Sequence, residues 1–199
     1  AHLKGGLVLA ASPRMKAEYG VKTGTRVFEL PKRDPDIVLV PPRMGLYVQR
    51  NQEIVRLFLQ FVAPEDCHPY SIDEAFLDIT RSHALFGSTY QIARRIQTEA
   101  MKQYGIPTCV GIGDNMLLAK LALDNAAKKK PHYLAYWSYK RVPETLWKMD
   151  NLSDFWGIGS RTKASLERLG IYTVKQLAHA DPRKLKRHFG VIGLELYHH

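Results

Sequence analysis

The sequence predicts an α+β protein: an antiparallel sheet with helices on one face, followed by an all-α C-terminal region. Three observations carry that reading. Short apolar strand candidates and amphipathic helices follow a β-β-α-β order, with one further helix ahead of an acidic hairpin. From Leu152 onward the chain reads as short helices separated by glycine turns. At 199 residues it is long enough to bury a substantial core, roughly 70% of its unfolded surface if compact, and it shows no solenoid repeat or low-complexity tract.

The elements follow in order. Leu7–Ala11 and Ile37–Val40 are short apolar strand candidates, the second closed by Pro41-Pro42. Ile54, Leu57, Phe58, Phe61 and Val62 have helical spacing, which predicts an amphipathic helix over about 48–62. A hairpin over 70–80 comes next. Ile92, Ala93, Ile96, Ala100 and Tyr104 mark another helix, with Arg94, Arg95, Glu99 and Lys102 mostly outward. Thr108–Ile112 reads as a strand, and Asp114 is placed to cap a helix carrying Leu117, Leu118, Leu121 and Ala122. The polar stretch 128–150 reads as a connector with one strand at Tyr133–Trp137.

The hairpin carries the chemistry. In Tyr70-Ser71-Ile72-Asp73-Glu74-Ala75-Phe76-Leu77-Asp78-Ile79-Thr80, residues Ala75, Leu77 and Ile79 point one way and Phe76 and Asp78 the other. In a regular strand Asp73 and Glu74 would face opposite sides, so they converge only where the chain turns or bulges. Two acids held together among apolar residues repel each other and are costly to desolvate unless a cation neutralises them. Mg²⁺, which keeps waters and completes its shell with substrate phosphates, suits such an oxygen-only pair. An ordinary hairpin tip with solvated acids is the competing reading.

The C-terminal region carries a second signal. Leu152–Trp156 reads as a short helix, Gly157-Ile158-Gly159 as a tight turn, and Ser160–Leu169 as a second helix ended by Gly170. Glycines let the backbone come close to another molecule, and a helix N-terminus offers free amides and a favourable dipole to phosphate. Arg161 and Lys163 stand beside it. This helix-hairpin-helix pattern grips a sugar-phosphate backbone without reading bases; a hairpin used only for packing is the alternative. The net charge is +10, and it is uneven: residues 128–199 hold 14 basic and 6 acidic side chains, against 15 and 13 in residues 1–127. A positive half beside a nearly neutral one fits a polyanionic partner, or else a solvated basic face. Cys67 and Cys109 are too few and too far apart for a disulfide framework or zinc site, and read as reduced thiols. No apolar run approaches the ~20 residues that span a bilayer, so a cytoplasmic protein without membrane contact is expected.

Ser-Ile-Asp-Glu-Ala-Phe-Leu-Asp over 71–78 resembles the catalytic hairpin of the Y-family, or UmuC/DinB-like, translesion DNA polymerases. Four further stretches are similar in the same order: Gly6–Ser12 with Tyr19–Gly24; Val38–Pro42 with Tyr47; Val110–Gly113 with Ala119–Ala122; and Trp156–Gly159 with Leu169–Ile171. The resemblance implies a partial palm strand and small fingers over 1–37, a palm over 38–150, and a helix-hairpin-helix thumb over 151–199. It implies template-directed DNA synthesis opposite damaged bases, with primer–template DNA and deoxynucleoside triphosphates as partners and two Mg²⁺ ions as cofactors. Asp73 and Glu74 would be the catalytic metal ligands, Glu74 nearer the primer terminus. Ser71 would orient the hairpin near DNA, and Gly157, Gly159, Ser160, Arg161 and Lys163 would meet the phosphate backbone. Lys163 departs from the small residue the family places there. Ser12, Arg14, Lys16 and Lys128 are the candidates for the incoming triphosphate. They are open choices, because Ala17 falls at the family's basic position and Lys128-Lys129-Lys130-Pro131 echoes its Lys-Pro three residues late.

The resemblance also places the family's first catalytic aspartate before residue 1, since Ala1-His2-Leu3-Lys4 contains no carboxylate. It places the last DNA-gripping domain and the sliding-clamp peptide after His199. An internal piece of a polymerase is therefore expected. Two other classes compete: a non-catalytic DNA-binding or regulatory protein that retains the thumb, and another palm-like metal enzyme such as a nucleotidyl cyclase or nuclease.

Overall fold

The computed structural model describes residues 5–31 and 34–198, so the expectation attached to Ala1–Lys4 lies outside the described residues. Packing divides the chain into two compact units, residues 1–53 and 54–199.

In the first unit, α1 (Pro13–Tyr19) starts as its sequence dictates. The Ser12 hydroxyl accepts the Met15 N–H, Pro13 occupies the first helical position, and Gly20 closes the end at φ 64°. The expected strand Leu7–Ala11 is reduced to one antiparallel bridge between Leu7 and Arg26, flanked by Val8 N–H to Thr25 O and Gly24 N–H to Val8 O at 2.9 Å each. The expected strand Ile37–Val40 is not formed; among the described residues no strand pairs with it, and Val38 and Val40 are 77% and 74% exposed. Apolar, β-branched composition makes a strand only where a neighbouring edge supplies the hydrogen bonds. Helix α2 (Met44–Phe58) begins and ends about one turn earlier than its apolar spacing indicated; Phe61 and Val62 are buried, but in the turn that follows.

In the second unit, β1 (Cys67–Pro69) pairs antiparallel with β2 (Ala75–Leu77), Cys67 opposite Leu77 and Pro69 opposite Ala75. The hairpin thus starts before the predicted span, and residues 70–74 form its loop. Beneath it a cluster of Leu57, Phe61, Ile92, Ile96 and Ala100 takes Leu77 and Ile79 against it. Three of these come from α4 (Thr89–Tyr104), which follows the single-turn α3 (His83–Phe86). Ser88 and Gln91 cap α4 reciprocally.

Strand β3 (Val110–Gly113), helix α5 (Met116–Asn125) and strand β4 (Leu134–Trp137) form a β-α-β unit in which the two strands pair in parallel. The protein is α+β; among the described residues its antiparallel pairing consists of the β1–β2 hairpin and the Leu7–Arg26 bridge, and this parallel pair was not foreseen. The cap of α5 also differs from expectation. Asn115 Oδ1 accepts the Leu118 N–H at 2.7 Å, while Asp114 accepts the Tyr139 N–H at 2.8 Å and the Tyr136 hydroxyl at 3.2 Å, tying β3 to the end of β4.

The remainder, as expected, is helical: a 3₁₀ turn at Leu152–Asp154, then α6 (Ser160–Arg168), α7 (Val174–Ala178), α8 (Pro182–Phe189) and α9 (Val191–His198). Leu152, Phe155, Ile158, Leu166, Leu177 and Leu185 pack with Leu121, Ala122, Ala135 and Trp137 into one cluster. Each fully buried leucine contributes about 2 kcal/mol.

Glycine is demanded on β3. A Cβ on Gly111 would meet Ala119 O at 2.0 Å, and one on Gly113 would meet Ala119 N at 2.3 Å, so α5 lies on the strand at backbone contact. Gly113→Ala should lower unfolding stability by about 2–3 kcal/mol through overpacking. Gly45→Ala, near the start of α2 with open space around it, should be neutral or stabilising by about 0.5–1 kcal/mol. Urea midpoints of the two variants provide the comparison.

Candidate active site

The loop of the hairpin decides where the acids go. Tyr70 N–H and Ser71 N–H both donate to Glu74 O, at 2.9 and 3.0 Å, which reverses the chain tightly around Ile72 and Asp73. Asp73 and Glu74 therefore sit in the turn and at its exit, where strand alternation no longer separates them. Asp73 is exposed, and the Ser71 hydroxyl donates to its Oδ1 at 2.8 Å. Glu74 is more enclosed, with 28% of its side chain exposed, and its Oε1 accepts the Lys120 ammonium at 2.5 Å. Asp78 is used locally: its Oδ1 accepts the Thr80 N–H at 2.9 Å, and bonds to the Thr80 side chain and N–H hold its carboxyl below the usual range.

Lys120 and Asp124 are functional candidates that sequence reasoning passed over. Lys120 stands on α5 with only 10% of its side chain exposed, and it also pairs with Asp124 Oδ2 at 3.1 Å. Burial works against its charge, but the hydrogen bonds to Glu74 and Asp124 outweigh it and raise the ammonium above the ordinary lysine value. Burial likewise opposes the Asp124 carboxylate, and bonds from Lys128 and Lys120 more than offset it and hold the acid low. The signal was present: one lysine within Leu117–Leu123, with an aspartate four residues on, is an i,i+4 pair on a largely apolar helix.

The triphosphate candidates belong to both units. In the first unit, Ser12 is the cap of α1, Arg14 pairs with Glu18 at 2.9 Å, and Lys16 is an exposed side chain on the same helix. In the second, Lys128 pairs with Asp124 at 2.7 Å and remains 53% exposed.

The helix-hairpin-helix stretch has the predicted turn. Gly157 adopts φ 95°, which only glycine takes easily, and Gly159 is the N-cap of α6, leaving its first-turn amides without a side-chain cap. Ser160 and Arg161 are exposed at that end. Lys163 is spent inside the motif: its ammonium donates to Asn151 Oδ1 at 2.9 Å, and the same oxygen receives Ser153 N–H at 3.2 Å. Trp156, just before the turn, stands edge-on to Tyr70 at 5.5 Å and lies 6.2 Å from Phe76. The glycine turn and the acidic hairpin are thus in aromatic contact. An open concavity of about 560 Å³ beside the turn is lined by Asp124, Asn125 and residues 153–159.

The donor set at 73–74 is oxygen only, with Asp73 exposed and Glu74 partly so, which suits a hard cation that shares its shell with substrate phosphates. Among the described residues no three His, Cys, Asp or Glu side chains form a closed metal cage. Both cysteines are free, Cys109 exposed and Cys67 partly buried, and burial pushes the Cys67 thiol up. No helix among the described residues is long and apolar enough to cross a membrane.

The chain belongs to the impB/mucB/samB family of Y-family polymerases, whose pattern matches residues 1–124, and the helix-hairpin-helix motif of the same family matches residues 139–171. It is 46% identical over 197 residues to UvrX of Bacillus subtilis, a protein named for UV-damage repair, covering 98% of this chain and 46% of that one. It is 39% identical over 192 residues to DNA polymerase IV of Moorella thermoacetica, covering 96% and 46%. Among solved structures, the insertion ternary complex of Dbh DNA polymerase superposes with a TM-score of 0.80 at 27% identity, covering 98% of this chain and 56% of that one. DinB from Sulfolobus solfataricus gives 0.73 at 27%, covering 90% and 52%. The chain spans about half the length of the curated relatives it matches.

The ion pairs around α5 make stability depend on pH with a definite sign. Asp124 has a depressed pKa, so its contribution is present above the unfolded value near 3.9 and lost as pH falls through the folded one. Lys120 is raised, so its contribution is lost only as pH climbs past about 10. Asp124→Asn should therefore lower stability at pH 7 and flatten its fall between about pH 5 and pH 3, as read by urea denaturation at each pH.

Proposed function

We propose that this chain is the core of a translesion DNA polymerase, in which the acidic hairpin directs nucleotidyl transfer and the helix-hairpin-helix turn holds primer–template DNA. The observation that carries the reading is the pair Asp73–Glu74 in a hairpin turn whose flanking Tyr70 and Phe76 touch Trp156 at the glycine turn. In this reading residues 1–37 belong to the fingers and palm edge, 38–150 to the palm and 151–199 to the thumb.

Asp73 and Glu74 are the residues that would hold Mg²⁺. Two such ions, sharing the phosphates of a deoxynucleoside triphosphate, would lower the pKa of the primer 3′-hydroxyl and stabilise the leaving pyrophosphate. The chain's own residues do the rest. Ser71 orients Asp73 through its hydroxyl, and Lys120 fixes Glu74. The uncapped amides at the start of α6, with Gly157, Gly159, Ser160 and Arg161, meet a phosphate backbone irrespective of sequence. Lys163 supports that turn from within. Lys128, in the 3₁₀ turn that follows α5, pairs with Asp124 at the end of the Glu74–Lys120–Asp124 chain and stays exposed, which favours it over Ser12, Arg14 and Lys16 as the group that meets the triphosphate. Action in the cytoplasm and recruitment by a sliding clamp belong to the same proposal for the intact polymerase.

Two experiments test it. In primer extension on a damaged template, Glu74→Gln and Asp73→Asn should each abolish nucleotide addition while DNA affinity stays within about twofold of wild type, since grip and chemistry reside on different elements. Loss of affinity in step with activity would point instead to a binding module. In salt titrations, Arg161→Ala should weaken duplex binding and reduce the slope of log affinity against log salt by about 0.9, the amount for one phosphate. An unchanged slope would remove the α6 terminus from the interface.

A further inference from the structure

We propose that Lys120 is the internal counter-cation of Glu74: it holds the carboxylate in the metal-free protein, must yield it for a divalent cation to bind, and is received by Asp124 when it does. The proposal rests on the reading of Glu74 as a metal ligand and goes beyond it by naming what governs that ligand's availability.

The geometry has three parts. The Lys120 ammonium lies 2.5 Å from Glu74 Oε1 and 3.1 Å from Asp124 Oδ2, so one cation is shared between two acids on different elements. Its side chain is only 10% exposed, and a desolvated ammonium stays charged beside at least one carboxylate. Asp124 is 35% exposed and already bonded to Lys128 at 2.7 Å, so it can take a larger share of Lys120 when Lys128 turns to another anion. Glu74, Lys120, Asp124 and Lys128 thus form an alternating chain of charges that runs from the hairpin, over Lys120 and Asp124 of α5, to the 3₁₀ turn that follows the helix. A divalent ion arriving at Glu74 repels the ammonium and shifts it along that chain. A triphosphate that captures Lys128 releases Asp124 and draws Lys120 the same way, so nucleotide and metal would favour one another's binding.

A lysine that serves only to hold the fold and one that competes with the metal differ in the sign of a measurable quantity. Binding of Mn²⁺ to the intact protein, with primer–template DNA and without nucleotide, is read from the electron paramagnetic resonance signal of the free ion. Wild type should bind, and Glu74→Gln should lose that binding; equal binding in the two would overturn the metal-ligand reading itself, and this proposal with it. Given that baseline, Lys120→Met should tighten Mn²⁺ binding roughly tenfold by removing the repelling charge. Unchanged or weaker Mn²⁺ binding in Lys120→Met would overturn the proposal. Asp124→Asn should weaken Mn²⁺ binding roughly threefold, and this effect should vanish when Lys120→Met is also present, since Asp124 acts through Lys120. Persistence of the effect in the double variant would overturn the proposal. If Lys120→Met fails to fold, as judged by its melting transition, Asp124→Asn and Lys128→Met decide. Weaker binding in the first with tighter binding in the second supports the exchange, and any other pair of results overturns it.

Discussion

Backbone contact between α5 and β3 is the constraint from which the candidate site follows. Gly111 and Gly113 carry no Cβ, and the space a Cβ would need is filled by Ala119 and its neighbours. With the helix that close, its remaining faces have fixed destinations. Leu121 and Ala122 enter the cluster that holds the C-terminal helices, while Lys120 and Asp124 lie along the edge that reaches Glu74. One helix therefore sets the distance between the hairpin acids and the helix-hairpin-helix turn. A wider β3–α5 spacing would lengthen the Lys120–Glu74 contact and loosen the cluster of the C-terminal helices together. That shared dependence is why two glycines far from any expected ligand matter to the chemistry.

How much of this was legible in the sequence depended on the range of the forces involved. Local rules worked where they decide alone: the spacing of Ile92, Ala93, Ile96 and Ala100 marks α4, and Gly157 and Gly159 make a turn. That Asp73 and Glu74 need a turn was legible as a condition, because alternation forbids their convergence in a straight strand, and the chain does turn there. What failed was what needs a partner across the chain. Ile37–Val40 has strand composition but no neighbouring edge among the described residues, and Leu7–Ala11 finds only a bridge. Asp114 and Asn115 compete for the same cap, and Asn115 wins because the Tyr139 N–H and Tyr136 hydroxyl claim Asp114. Lys120 was visible as a letter, but its role depends on a carboxylate 46 residues earlier.

The electrostatics separate into an inner and an outer set. Around α5 the charges alternate in sign over hydrogen-bond distances, so they compensate locally and contribute little to the long-range field. In the C-terminal region they do not. Arg183, Lys184, Lys186, Arg187 and His188 all lie exposed on α8, whose Leu185 is buried. Such a surface attracts a polyanion from a distance and weakens as salt rises. Lys163 belongs to the inner set despite its position, because Asn151 takes its ammonium. Proximity to the glycine turn is thus a poor guide to which cation is available to an anion. What distinguishes Arg161 from Lys163 is whether a side chain already holds the charge.

The aromatic contact between Trp156 and the hairpin bears on how an enzyme of this kind tolerates irregular templates. Tyr70, Phe76 and Trp156 lie within 5.5–6.2 Å of one another, and such pairs add about 0.5–1.5 kcal/mol each beyond burial. They join the residue before the glycine turn to the start of the hairpin loop at Tyr70 and to β2 at Phe76. In the proposed function, backbone grip and metal ligation are then referenced to one rigid junction rather than to the base pair being formed. A primer terminus held by its phosphates at the turn is delivered to Asp73 and Glu74 at a set distance whatever bases it carries. In that proposal tolerance of damage needs no flexible active site: it would follow from positioning the primer through sequence-independent contacts, with the alignment stored in the contact between Trp156 and the hairpin.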